Sequence, residues 1–89
     1  MPPQHRRIDQ TDGFTNEFRA IRAKHPRAKE FLDGVLFILK RDPSEGYKWG
    51  SLWSLSSVRG AADLPLLTVF YTFDDDRVTL CSIIESALM

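Results

Sequence analysis

The chain has 89 residues, of which 43% are hydrophobic and 27% are charged, and its twelve basic and twelve acidic side chains give a net charge of zero. An aromatic content of 11% excludes a disordered tail, and apolar runs of only a few residues exclude a membrane-spanning helix. The length predicts a single domain over residues 1–89.

The first predicted element is a weak strand over residues 5–11, after which the apolar spacing becomes that of a helix. The apolar residues of this first helix recur at i, i+4 and i+7, which places them on one helical stripe. They are Phe14, Phe18 and Ile21. We expect its N-cap at Asp12 or Thr15, because either side-chain oxygen can accept a hydrogen bond from a free amide at the helix start.

A second helix is predicted to start near Pro26, because proline fits the first turn, where the backbone N–H has no partner. Asp42-Pro43 ends it. Gly34 lies inside this helix at a cost near 1 kcal/mol relative to alanine, and we expect close approach of another element to compensate. The short joint at residues 24–26 predicts that the two helices form an antiparallel hairpin.

The rest of the chain has the pattern of a loop followed by three strands. Clustered Pro, Gly and Ser residues predict the loop, and β-branched and aromatic residues mark the strands. The loop covers residues 43–50, the strands cover 51–58, 66–73 and 77–84, and the joints are 60–65 and the polar turn Asp74-Asp75-Asp76. The predicted fold class is therefore α+β: an N-terminal strand and helical hairpin packed on a small antiparallel β-meander.

Side-chain alternation divides the central strand into two faces. One face carries Leu67, Val69, Tyr71 and Phe73, and the other carries Leu66, Thr68, Phe70 and Thr72.

The residue patterns favour no metal or cofactor. The three adjacent aspartates at 74–76 splay apart in a tight turn, whereas a hard cation needs oxygens that converge on one point. His5 and His25 have no second ligand at zinc spacing. A glycine-rich phosphate loop and a nucleophile motif are also missing from the sequence.

Cations and aromatic residues flank the predicted strands, and they are the remaining candidates for chemistry. They are Lys48, Arg59, Arg77, Tyr47, Trp49, Trp53 and Tyr71. Arginine binds phosphate through a bidentate fork, and an aromatic ring stacks on a base. Such groups can run phosphodiester cleavage by stabilising charge on phosphorus and assisting proton transfer from a 2′-hydroxyl. On spacing alone, the favoured alternative is that the rings are core or subunit contacts and the cations solubilise strand ends.

Four stretches of the chain carry a family resemblance. They are Phe14-x-x-x-Phe18 in the first helix, Leu39–Pro43 at the end of the second helix, Gly50-x-Leu52 entering a strand, and Leu66–Leu80 as the final hairpin. With the order strand, helix, helix, meander, these stretches make the chain resemble the RelE/ParE superfamily of bacterial toxins from type II toxin–antitoxin pairs.

The resemblance implies a small cytoplasmic toxin that a cognate antitoxin protein neutralises by wrapping the sheet and helices. RelE-like members cleave mRNA on the ribosome without a metal, using basic and aromatic residues of the concave sheet surface. By position, the catalytic set implied here is Lys48, Arg59, Arg77 and Tyr71, with Trp49 and Tyr47 as RNA contacts.

The resemblance thus implies a RelE-like toxin that inhibits translation by ribosome-dependent mRNA cleavage, and two alternatives to it stay open. ParE-like members inhibit DNA gyrase, and this chain has Thr68 where active RelE-like relatives often carry arginine. A ParE-like gyrase inhibitor, or a catalytically weakened toxin-fold protein that acts by protein binding, is therefore the leading alternative. The other is an interaction module unrelated to toxicity, with Trp49 and Trp53 as contact anchors.

Location and partner follow from the cysteine content and the charge distribution. Cys81 is the lone cysteine and no apolar segment follows the N-terminal cations, so we expect a cytoplasmic protein without a membrane partner. Residues 1–29 carry seven basic and three acidic side chains. We therefore expect the antitoxin to contact the first helix at Arg19 and Arg22.

Overall fold

A computed structural model describes residues 6–57 and 66–86 of the chain. Within these ranges, two helices and a five-stranded sheet form an α+β fold, which confirms the predicted class. The elements are β1 (Arg7–Gln10), α1 (Asp12–Lys24), α2 (Ala28–Arg41), a 3₁₀ turn (Pro43–Glu45), β2 (Tyr47–Trp49), β3 (Leu52–Ser56), β4 (Leu66–Phe73) and β5 (Arg77–Ser86).

The sheet has the strand order β1-β5-β4-β3-β2. The β3, β4 and β5 strands are successive antiparallel neighbours, as the predicted meander requires. The N-terminal strand β1 adds to the other side of β5 in parallel, which makes the sheet mixed. The predicted joint at 60–65 lies outside the described residues.

The prediction of a loop over residues 43–50 is wrong for its second half. Tyr47–Trp49 form β2, which pairs with β3 through a two-residue turn at Gly50 and Ser51. Gly50 has a φ of 62°, a conformation that glycine adopts without steric cost and that tight hairpin turns require. The glycines that indicated a loop therefore lie on either side of a three-residue strand.

The start of α1 also differs from the prediction, since its N-cap is Thr11 rather than Asp12 or Thr15. The Thr11 Oγ1 accepts a hydrogen bond from the Phe14 N–H at 3.1 Å. The Thr11 N–H donates to the Leu80 carbonyl of β5 at 3.0 Å. One residue thus both caps the helix and joins it to the sheet.

Helix α2 begins at Ala28, two residues later than the predicted start, and ends at Arg41 as Asp42-Pro43 indicates. The expectation about Gly34 is wrong. Gly34 is exposed, and a Cβ built on it would meet nothing within 4 Å.

The hydrophobic core lies between the helical hairpin and one face of the sheet. Its buried members are Phe14, Ile21, Ala28, Leu32, Val35, Leu39, Leu67, Val69, Tyr71, Val78, Leu80 and Ile83. The alternation predicted for β4 is confirmed, because Leu67, Val69 and Tyr71 are all fully buried. The described part of the chain has no helix with the length and apolar character needed to cross a membrane.

Candidate functional site: the open face of the sheet

The sheet has a second face, opposite the helices, which we call the open face. Cross-strand partners share a face, so the pairs Trp53–Tyr71 and Leu55–Val69 point to the core. The alternating pairs Ser54–Phe70 and Ser56–Thr68 therefore lie on the open face.

The middle of the open face is apolar and rich in hydroxyl groups. It contains a hollow of about 340 Å³ lined by Trp49, Ser54, Ser56, Thr68, Phe70 and Ile84. Trp49 is 65% exposed, and its indole N–H donates to the Ser54 hydroxyl at 2.9 Å. The Ser56 and Thr68 hydroxyls hydrogen-bond at 2.8 Å. The first contact holds the Trp49 ring over the buried Ser54 side chain, and the second joins the neighbouring strands β3 and β4.

Both predicted RNA contacts lie on this face. Tyr47 pairs with Ser54 and Trp49 pairs with Leu52, so alternation places both rings on the open face. Tyr47 is 77% exposed, and both rings can reach a ligand without a change in the backbone.

The predicted cation Arg77 lies at the start of β5, where its side chain is about half exposed. Its guanidinium Nε lies 3.3 Å from a carboxylate oxygen of Asp9 on the neighbouring strand β1. The Arg7 Nε lies 4.0 Å from the other oxygen of the same carboxylate. Asp9 therefore offsets the positive charge that this end of the sheet would present to a phosphate.

Lys48 does not join Arg77. It lies between Tyr47 and Trp49 in β2 and pairs with Trp53, which packs against the core. Alternation therefore places Lys48 on the helix side of the sheet, opposite the two exposed rings. The same placement removes Trp53 from the exposed anchors proposed for an interaction module.

Tyr71 is buried, which argues against its predicted catalytic role. Its side chain is fully buried in the core, and its hydroxyl donates to the carbonyl oxygen of Pro43. Burial raises the pKa of the Tyr71 phenol to about 12. The Tyr71 phenol is therefore inaccessible to solvent, hydrogen-bonded to a backbone carbonyl and hard to ionise. Its role is structural, because it links the 3₁₀ turn to the sheet.

Arg59, the remaining member of the predicted catalytic set, lies outside the described residues. Arg19 and Arg22 are both exposed on α1, and their role as antitoxin contacts stays a prediction. The residues lining the hollow that were not predicted as site residues are Ser54, Ser56, Thr68, Phe70 and Ile84. The sequence contains a signal for the two serines. Ser54 and Ser56 alternate with Trp53 and Leu55, which indicates that the serines lie on the face of the strand away from the core.

The aspartate turn has a structural role. The Asp74 carboxylate accepts hydrogen bonds from the backbone N–H groups of Asp76 and Arg77, at 2.8 and 2.9 Å, and these bonds hold its pKa below the usual value. Among residues 6–57 and 66–86, no group of three or more His, Cys, Asp or Glu side chains is arranged to hold a metal.

Comparison with models of known protein families gives no match, and comparison with curated proteins gives none. The resemblance to RelE/ParE toxins therefore stays a prediction from the sequence.

Proposed function

We propose that this chain is the RelE/ParE-like toxin of a type II toxin–antitoxin pair, and that it acts on its target through the open face of its sheet. The observation that supports the proposal is the sheet face with its two exposed rings, which no helix among residues 6–57 and 66–86 covers. The helical hairpin packs on the other face, so the open face is a large surface that the described part of the fold leaves to a partner.

Two activities compatible with this fold use that face differently. RelE-like cleavage of mRNA on the ribosome needs cations that converge on a phosphate. ParE-like inhibition of gyrase, or another action by protein binding, needs an apolar surface with aromatic anchors.

The chemistry of the open face favours action by protein binding. Its middle is lined by Trp49, Phe70, Ile84 and hydroxyl groups, which is typical of the central part of a protein interface. Of the predicted catalytic residues that the structure describes, Arg77 is paired with Asp9, Lys48 lies on the other side and Tyr71 is buried. A net charge of zero also gives weak electrostatic attraction to RNA.

Ribosome-dependent mRNA cleavage remains the competing proposal, with Arg77 as the described residue best placed to serve it. Arg77 is about half exposed, and its guanidinium can exchange the Asp9 carboxylate for a phosphate, because exposed ion pairs contribute little free energy.

Induced expression of the chain in a bacterial host separates these activities. We expect growth to stop, with cellular mRNAs intact and gyrase supercoiling activity inhibited by the purified protein. Growth arrest with mRNAs cut within codons would contradict action by protein binding and support the RelE-like activity instead. Normal growth at high expression would contradict the toxin proposal itself.

A pair of variants tests the role of Arg77. Arg77→Ala and Asp9→Asn both remove the same ion pair, so a structural role of that pair predicts equal effects. If mRNA cleavage is the activity, Arg77→Ala lowers it by about a hundredfold or more and Asp9→Asn does not. If the protein acts by binding through its apolar surface, both variants still arrest growth.

A further inference from the structure

The exposed face of α2 is a second surface that no other element among residues 6–57 and 66–86 covers, on the side of the molecule away from the open face. It presents Phe37, which is 62% exposed, and Ile38, which is 39% exposed. Beside the Phe37 ring lies a hollow of about 320 Å³, lined by Asp33, Leu36, Phe37, Lys40 and Arg41. Covering this ring would remove a large apolar area from water, which favours association.

The lining residues have the spacing that one helix uses to receive a side chain from another. Asp33, Leu36, Phe37 and Lys40 stand at i, i+3, i+4 and i+7 of α2. In packed helix pairs, four residues at this spacing form the hole into which a side chain of the facing helix inserts. The hollow is therefore shaped for a helix.

Gly34 leaves room for such a helix to approach closely. It lies on the exposed side of α2, and a Cβ at this position would meet nothing within 4 Å. Its cost to helix stability is thus not offset by a close contact in the described part of the chain. A bare backbone at this point shortens the distance at which a second helix can pack.

The charges of the hollow identify the kind of helix that fits. Asp33 stands at its N-terminal end, and Lys40 and Arg41 stand at its C-terminal end. When two such faces meet antiparallel, the acid of each helix lies opposite the cations of the other. The existing pair between Asp33 and Lys29, at 3.0 Å with both side chains more than half exposed, contributes little and can be exchanged.

We propose that two copies of this chain associate through α2, antiparallel about a two-fold axis near Phe37. The Phe37 ring of each copy enters the hollow of the other, and Asp33 of each copy pairs with Lys40 of the other. Helix α2 has 14 residues and is about 21 Å long, so this interface is small and the dimer is weak, with a dissociation constant of tens of micromolar or above.

Sedimentation equilibrium on the purified full chain and two charge-reversal variants tests the proposal. The wild type is expected to approach the dimer mass as its concentration rises. Asp33→Lys and Lys40→Asp each place like charges opposite one another, so each alone associates at least about tenfold more weakly. An equimolar mixture of the two restores both attractive pairs, and we expect it to dimerise like the wild type.

Arg22→Glu on α1 is the matched control, because it reverses a charge on an exposed helix outside the proposed interface. Its dimerisation is expected to equal that of the wild type. Since all three side chains are exposed, circular dichroism is expected to show that every variant folds. A wild type that stays monomeric at millimolar concentration would overturn the proposal and leave the hollow to a helix of another protein. Variants that dimerise normally, or a mixture that stays monomeric, would also overturn it.

Discussion

The Tyr71 hydroxyl is a single polar group that supports the open face from the core side of the sheet. Its ring lies in the core below the open face, and its hydroxyl satisfies the Pro43 carbonyl, which follows α2. Alternation along β4 groups Tyr71 with Leu67 and Val69 on one face, but the resemblance implied a catalytic role for Tyr71 rather than a place in the core. The hydroxyl's partner is 28 residues away, so neither spacing nor composition indicates that the phenol is structural.

We expect Tyr71→Phe to lower the free energy of unfolding by about 1–3 kcal/mol, because the buried Pro43 carbonyl loses its hydrogen bond. Urea unfolding measures this. Tyr47→Phe is the matched control, since that ring is 77% exposed and its hydroxyl loss is expected to change stability by less than about 0.5 kcal/mol. Equal stability of the two variants would show that the Tyr71 hydroxyl does not support the fold.

Glu85 joins the end of β5 to the joint between the helices. Its carboxylate lies 3.1 Å from the Lys24 ammonium and 3.2 Å from the His25 ring. The hydrogen bond from Lys24 is the main cause that lowers the pKa of Glu85 below its ordinary value of 4.5. A lowered carboxyl pKa stabilises the folded state above the unfolded-state pKa, and this contribution is lost as the pH falls through the folded-state pKa.

Glu85→Gln is therefore expected to be less stable than the wild type near neutral pH, by less than about 1 kcal/mol because the groups are partly exposed. The difference narrows as the pH falls below the ordinary glutamate value of 4.5 and on through the lowered folded-state pKa, because the wild-type carboxylate becomes protonated there. Urea midpoints at several pH values measure it. A difference that stays constant with pH would show that the charge of Glu85 does not contribute.

Among the elements, α2 and β2 show where local pattern succeeds and where it fails. The end of α2 follows from Asp42-Pro43, which is local chemistry. Strand β2 has only three residues, and it exists because it pairs with β3, which no local signal between Pro43 and Gly50 reveals. The Gly34 expectation failed because exposed apolar residues such as Phe37 and Ile38 widen the apolar face of α2 beyond the part that packs on the core.

We expect Gly34→Ala to stabilise the protein by about 0.5–1 kcal/mol, because alanine has the higher helix propensity and its Cβ meets nothing here. Thermal unfolding of dilute protein measures this effect. Gly46→Ala is the matched substitution, for which we expect the opposite effect on stability. A Cβ at Gly46 would overlap the Ser54 carbonyl oxygen and the Tyr71 hydroxyl, so we expect it to destabilise by about 1–3 kcal/mol. Destabilisation by both would contradict the placement of Gly34.

At the scale of the whole molecule, the fold class was predictable from the order of its elements. Two helices followed by strands with short joints can pack in only a few ways that bury the apolar faces. The candidate site was only partly predictable. Alternation brings Tyr47 and Trp49 together, but it separates Lys48 from them and buries Tyr71. The pairing of Arg77 with Asp9 depends on the parallel register of β1 and β5, in which paired residues such as Arg7 and Arg77 are 70 positions apart in the chain.

The most direct test of the account compares two exposed aromatic residues on different surfaces. Trp49 on the open face and Phe37 on α2 are 65% and 62% exposed, so replacing either by alanine removes a similar surface ring. Growth is measured after matched induction of the wild type, Trp49→Ala and Phe37→Ala, with protein levels checked in each culture. We predict that the wild type and Phe37→Ala arrest growth and that Trp49→Ala loses most of the arrest. Undiminished arrest by Trp49→Ala would contradict the claim that the protein acts through the open face.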